Sequence, residues 1–269
     1  EAEPSGKVTA YGPDRMFVFL RMSKESPKGQ QDLRRELLML RAPAVDITID
    51  SFASLGGQFL LWEAATAAAG WLMEINPFDE PNVTESKENT KSILETYSRS
   101  KRFPLAKGKT SRDLTLLSLT GKASGDPLEQ SLTDLFANAK PPRYVAILNY
   151  FKSDKRTELM LARIRELIRD RTRCATLRGY GPRFLHSIGQ LYKGGAPDGM
   201  FLVLTRADHG RLPIPNQPFG FGELITAQAI GDSRALIKRK LPTVVIELDG
   251  SPSAGLEQVY RIVDSILSK

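Results

Sequence analysis

The amino-acid sequence predicts an α/β protein in two subdomains, with a mainly parallel sheet held between helical layers as α/β/α. Three observations predict it. Along the second half of the chain, apolar runs of strand length alternate with stretches of helical periodicity, the pattern of a parallel sheet wrapped on both faces. Those runs are continuous and do not alternate with polar residues, as expected of strands covered on both sides. The first half offers only two such runs, too few for a complete sheet. It therefore reads as residues 1–108, the closing part of one domain. Residues 109–269 read as a five-stranded, doubly wound domain.

The elements follow in order. Residues 1–14 are polar and rich in Gly and Pro. Met16 to Leu20 is a strand, Gln30 to Leu40 has leucines at helical spacing, and Ala44 to Ile49 is a second strand. Leu55 to Met73 is a long, nearly apolar helix. Gln58 and Glu63 within it mark a buried helix and not a membrane span. A turn with Pro77 and Pro81 follows, because each proline lacks an N–H and fixes φ, and a helix then runs from about Val83 to Arg99. Residues 100–113 read as a solvated basic linker. Beyond it, strands are expected at Leu114–Leu119, Tyr144–Asn149, Cys174–Leu177, Met200–Thr205 and Thr243–Leu248. Helices are expected at Leu128–Ala139, Ser153–Arg171, Arg183–Lys193, Phe219–Arg239 and Ala254–Leu267.

Composition narrows the class. Of 269 residues, 41% are hydrophobic and 26% charged, ordinary for a globular protein. The net charge of +7 favours anionic partners, either nucleic acid or phosphorylated metabolites. The densest basic stretch, Lys101, Arg102, Lys107, Lys109 and Arg112, has only Phe103 beside it, whereas a single-strand platform wants several aromatics. Nucleic acid and membrane are therefore not expected partners. The single cysteine, Cys174, has no partner for an internal disulfide, which suits a cytoplasmic protein. No His/Cys/carboxylate cluster has metal spacing, and no cofactor is expected. The sequence opens at Glu1 with no leader pattern and reads as a fragment or a processed chain.

Two polar clusters carry the chemistry. The first is the turn Asn76-Pro77-Phe78-Asp79-Glu80-Pro81-Asn82-Val83-Thr84-Glu85-Ser86-Lys87. Acids on a turn and a lysine one turn into the next helix suit the handling of anionic intermediates. The second runs from Arg183 to Gly195, where His186 and Gln190, four apart, share one face of the expected helix.

These motifs resemble phosphoglucose isomerase. The turn is similar to its signature Asn-(Pro/Ser)-Phe-Asp-Gln-x-Gly-Val-Glu-x-x-Lys, with Glu80, Asn82 and Thr84 replacing Gln, Gly and Glu, and with the lysine kept as Lys87. His186-x-x-x-Gln190-Leu191 is similar to the segment whose histidine opens the sugar ring. Together with Tyr11-Gly-Pro-Asp-Arg15 and the segment from Gly220 to Asp232, the set resembles the isomerase portion of bacterial fused transaldolase/phosphoglucose isomerases.

The resemblance implies a sugar-isomerase-like fold and interconversion of glucose 6-phosphate and fructose 6-phosphate through a cis-enediolate. It implies Lys87 and His186 as catalytic residues, with Asp79, Glu80 and Gln190 at the substrate. It also implies a homodimer in the full-length protein. The family's glutamate lies in a Glu-Ser-x-Gly-Lys motif that this sequence lacks, so the chain is expected to be a C-terminal fragment with part of the site. If it acts alone, Glu63 or Glu80 is the expected base. The alternative is a non-catalytic sugar-phosphate-binding module.

Overall fold

In the computed structural model of the chain, residues 5–22, 28–79, 81–111, 113–119, 127–207, 210 and 212–269 are described. The chain divides into two compact units, Lys7–Glu80 and a larger unit of Pro81–Lys269 with the leading segment to Gly6.

In the larger unit the continuous apolar runs become a six-stranded sheet of order β3-β4-β8-β7-β5-β6. Its strands are β3 Ala106–Ser111, β4 Leu114–Ser118, β5 Tyr144–Asn149, β6 Ala175–Tyr180, β7 Gly199–Arg206 and β8 Thr243–Leu248. The four strands β8, β7, β5 and β6 run parallel. β4 joins β8 antiparallel, and β3 joins β4 antiparallel. β5 explains the continuous pattern. Its Val145 and Ile147 enter one core with helices α4 (Leu128–Phe136), α5 (Lys155–Thr172) and α8 (Pro252–Leu267). Its Ala146 and Leu148 enter a second core on the opposite face. There the covering helices are α3 (Pro81–Ser100), α6 (Gly189–Gly194) and α7 (Phe221–Lys238). The fold is thus a three-layer α/β/α sandwich with a mostly parallel sheet.

Asp154 starts α5 with a reciprocal cap: its carboxylate accepts the Thr157 N–H at 2.8 Å, and Thr157 Oγ1 accepts the Asp154 N–H at 2.9 Å. This satisfies donors that a helix start leaves unpaired.

The structure departs from the sequence reading here. The stretch expected as a solvated linker carries β3, because its backbone pairs antiparallel with β4, so the sheet expected to have five strands has six; Lys107 of β3 also forms an ion pair with Glu247 of β8. Arg112 of that basic run lies outside the described residues. The boundary between compact units also falls at Pro81 and not at residue 108, because α3 packs on α7 and α6 of the larger unit.

In the smaller unit, β1 (Phe17–Met22) and β2 (Ala44–Ile49) pair in parallel from Phe17↔Ala44 to Met22↔Ile49. Helix α1 (Lys28–Met39) connects them and buries Leu37. The long helix α2 (Leu55–Leu72), expected to be buried, is exposed along nearly its whole length, and only Gly70 is buried. The ring of Pro77 lies against Gly70, where an added Cβ would stand 2.7 Å from it. A helix apolar all round wants cover on every side, and the two strands of this unit do not supply it.

Candidate functional site

The turn after α2 is built locally. α2 ends where Glu74 takes φ 55 and Ile75 N–H bonds to the Gly70 carbonyl at 3.0 Å. The Asn76 side chain then accepts the Phe78 N–H at 3.0 Å, which holds an Asx turn. The chain enters α3 at Pro81, a position where its missing N–H costs nothing. Asp79 is exposed and belongs to the smaller unit, as does Glu63 on α2. Glu80 lies outside the described residues.

Lys87 lies in the second turn of α3, in the larger unit, and is exposed. The two residues before it are held by side-chain contacts. Glu85 pairs with Arg239 at 2.5 Å and with Lys238 at 3.4 Å. The Arg239 guanidinium holds the Glu85 carboxyl below its ordinary range. Ser86 is buried and accepts a hydrogen bond from Lys193 Nζ. Farther along α3, Tyr97 stacks on Phe103 at 4.5 Å and donates to Glu223 of α7 at 3.4 Å. α3 comes close to α7 at Gly231, where an added Cβ would meet Thr90 Oγ1 at 3.2 Å.

His186 ends a short 3₁₀ turn, Arg183–His186, that leaves the C-terminal end of β6. The single helix expected over Arg183–Lys193 is broken. Ser187 takes φ −127 and ψ −63, and α6 begins only at Gly189. The break follows from tight bonding: Leu185 N–H reaches the Pro182 carbonyl at 3.0 Å, and Ser187 N–H reaches the Phe184 carbonyl at 3.1 Å, the i→i+3 pattern that does not propagate far. His186 and Gln190 therefore sit on different elements and share no helix face.

A cavity of about 610 Å³ opens between α3, the 3₁₀ turn and the segment ahead of α7. Lys87 and His186 both line it, although they come from separate motifs. Gln190 and Asp79 are not among its lining residues. It lies beside the loops that leave the carboxyl ends of β6 and β7. These strands flank β5, where the strand order reverses, and ligands of open α/β sheets gather at such a point.

Sequence reading passed over several lining residues. Lys91 and Glu95 follow Lys87 at helical spacing on one face of α3, a signal the periodicity carries. Asp232 of α7, which ends the Gly220–Asp232 segment of the resemblance, lines the cavity as well, with Leu185 and Phe219 as apolar wall. Asp232 Oδ1 is 2.8 Å from Lys193 Nζ, and the two side chains are 4% and 2% exposed. Its Oδ2 accepts the Tyr150 hydroxyl at 2.6 Å. Burial, with the Asp232 charge beside it, pushes the Tyr150 hydroxyl well above its ordinary pKa. Lys193 thus offsets Asp232. Glu95 stands against Lys87, Lys91 and Arg99 around the same space, so the cavity carries an excess of positive charge. Cations against an apolar wall suit an anionic ligand. Among the described residues, no group of three or more His, Cys, Asp or Glu side chains is arranged to hold a metal ion. No helix among them is long and apolar enough to cross a membrane.

No family model matches the chain. No curated protein matches it. Among solved structures it is similar to a hypothetical protein, TT0462, from Thermus thermophilus, at 14% identity and a TM-score of 0.41. The match covers 93% of this chain and 56% of that protein, so the chain spans little more than half of its length.

Proposed function

We propose that the cavity between α3 and the 3₁₀ turn belongs to an aldose–ketose isomerase that interconverts glucose 6-phosphate and fructose 6-phosphate. One observation supports this reading: Lys87 and His186, singled out by two separate motifs, line one cationic cavity. In this reading His186, which lines the cavity, opens the sugar ring by proton transfer. A base then removes the C–H proton beside the carbonyl, and the negative charge spreads over a cis-enediolate. The Lys87 ammonium faces that oxyanion, in a cavity whose apolar wall strengthens the attraction. The proton returns to the neighbouring carbon, and the sum is an isomerisation without net oxidation.

The base is the part the chain does not supply from its motifs. The reading makes this chain the C-terminal portion of the enzyme, with the carboxylate on a preceding segment and a transaldolase domain fused ahead of it. Two subunits are expected in the complete protein.

The test is conversion of fructose 6-phosphate to glucose 6-phosphate by this chain, beside the same chain extended upstream. Activity confined to the extended protein is the expected result. Activity in the chain alone would place the base within it, with Glu95 in the cavity as first candidate. Silence in both sinks the isomerase and leaves a sugar-phosphate-binding module. In the active form, Lys87→Ala is expected to lower kcat by about a hundredfold or more, with the thermal midpoint kept. Full turnover in that variant removes Lys87 from the mechanism.

A further inference from the structure

Behind the cavity floor lies a chain of buried polar groups with no obvious stabilising purpose. Lys193 of α6 and Asp232 of α7 form an ion pair at 2.8 Å, with side chains 2% and 4% exposed. Asp232 holds Tyr150 at 2.6 Å through its other oxygen. Lys193 also donates to Ser86 of α3. Four elements thus meet at one pair: α3, the segment after β5, α6 and α7. Burying two charges is costly before their attraction is counted, and apolar pairs of similar volume are often equally or more stable. Hydrophobic packing would close this interface as well. What an ion pair adds is direction, because each oxygen and each N–H must meet one stated partner.

The direction runs to the cavity. Ser86 and Asp232 both line it, and Ser86 is the residue before Lys87. The other anchor of this turn, Glu85 with Arg239, is partly exposed and, like exposed pairs in general, constrains weakly. Arg239 nevertheless ties back to the same point, since its Nε donates to the Lys193 carbonyl at 2.7 Å.

We infer that the buried Lys193–Asp232 pair is a positioning pair for the Lys87 ammonium. It holds Ser86, and through it the opening turns of α3, so that Lys87 meets the developing oxyanion in register. The inference rests on the isomerase reading of the cavity. It assigns Lys193, Asp232 and Tyr150 no contact with the reacting atoms.

The test replaces the pair with apolar residues, Lys193→Met with Asp232→Leu, in the polypeptide that carries the isomerase activity. The thermal midpoint is expected to fall by only a few degrees, because apolar packing replaces the ion pair while the Tyr150 hydroxyl loses its acceptor. kcat is expected to fall by roughly a hundredfold, the usual effect of a misplaced catalytic group. KM is expected to stay within about threefold, because the lost interaction belongs to the transition state. Adding Lys87→Ala to the double variant should then cost little more, since the ammonium is already out of place. Wild-type kcat in the double variant overturns the inference while leaving the isomerase reading intact, and so does a full, independent loss from Lys87→Ala. If the double variant does not fold, Ser86→Ala decides: it leaves the Lys193–Asp232 pair intact and removes only its link to α3, a kcat drop of about tenfold is expected, and unchanged kcat overturns the inference. A wild type without isomerase activity overturns the reading and the inference together.

Discussion

At the scale of single residues, charge is what the molecule places with most care. Glu85 shows the cost of placing it near the surface. Its carboxyl is held low chiefly by the hydrogen bond from Arg239, so the folded state takes up its proton less readily than the unfolded chain. The stability it contributes is present in full above the unfolded value of about 4.3 and is lost as pH falls through the lower folded value. The difference in urea stability between wild type and Glu85→Gln is therefore expected to be larger at neutral pH than near pH 3. An equal difference at both would contradict the pairing. His186 poses a chemical test at the same scale. If it opens the ring, His186→Ala should lose activity on the cyclic sugar by about a hundredfold and far less on an open-chain substrate. Equal losses on both, measured by steady-state kinetics, would remove that role.

At the scale of elements, α3 is the one on which most depends. It carries Lys87, Lys91 and Glu95 to the cavity and anchors itself on α7 through Tyr97 and Glu223. Its partner across the cavity is a 3₁₀ turn and not a helix, which gives His186 a place at the end of β6 without carrying Gln190 along. The central strand β5 underlies both. Its Ile147 is fully buried, between neighbours on β6 and β7. Ile147→Ala is expected to cost about 2–5 kcal/mol, from lost burial and from the cavity left behind. Denaturant titration measures this directly, and a loss below about 1 kcal/mol would mean the strand is not central.

At the scale of the whole molecule, the two units differ in how well they cover their apolar surface. The larger unit sandwiches its sheet between two cores. The smaller unit has two parallel strands and leaves Phe59, Leu60, Trp71 and Leu72 of α2 more than half exposed. Parallel strands are ordinarily covered on both faces, and a large exposed apolar surface marks a place for contact. An apolar dye such as anilinonaphthalene sulfonate is expected to fluoresce on the native chain. Leu60→Lys and Leu72→Lys together should weaken that signal by about half or more while shifting stability by no more than about 0.5 kcal/mol. No signal from the native chain would show that this surface is covered in solution.

Much of this was legible in the sequence. The layered α/β class, both parallel strands of the smaller unit and the four parallel strands of the larger sheet follow from apolar runs read against their period. Lys87 and His186 stood out because turn chemistry and motif spacing are local, and local geometry is encoded by neighbours in the chain. Other features were not legible. β3 hid in a basic segment, because an edge strand needs only one covered side and its pairing comes from β4. The break at Ser187 hid inside a helical pattern, since competing i→i+3 bonds leave no mark in periodicity. The burial of α2 was misread, because an all-apolar helix states that it wants cover and not whether it has it. By itself the sequence determined the layers, the order of the elements and the two residues on which the chemistry is proposed to turn. Only the tertiary structure decided that those residues share a cavity, and that Lys193 and Asp232 meet beneath it, because contacts between residues far apart in the chain depend on how whole helices pack and not on any local pattern.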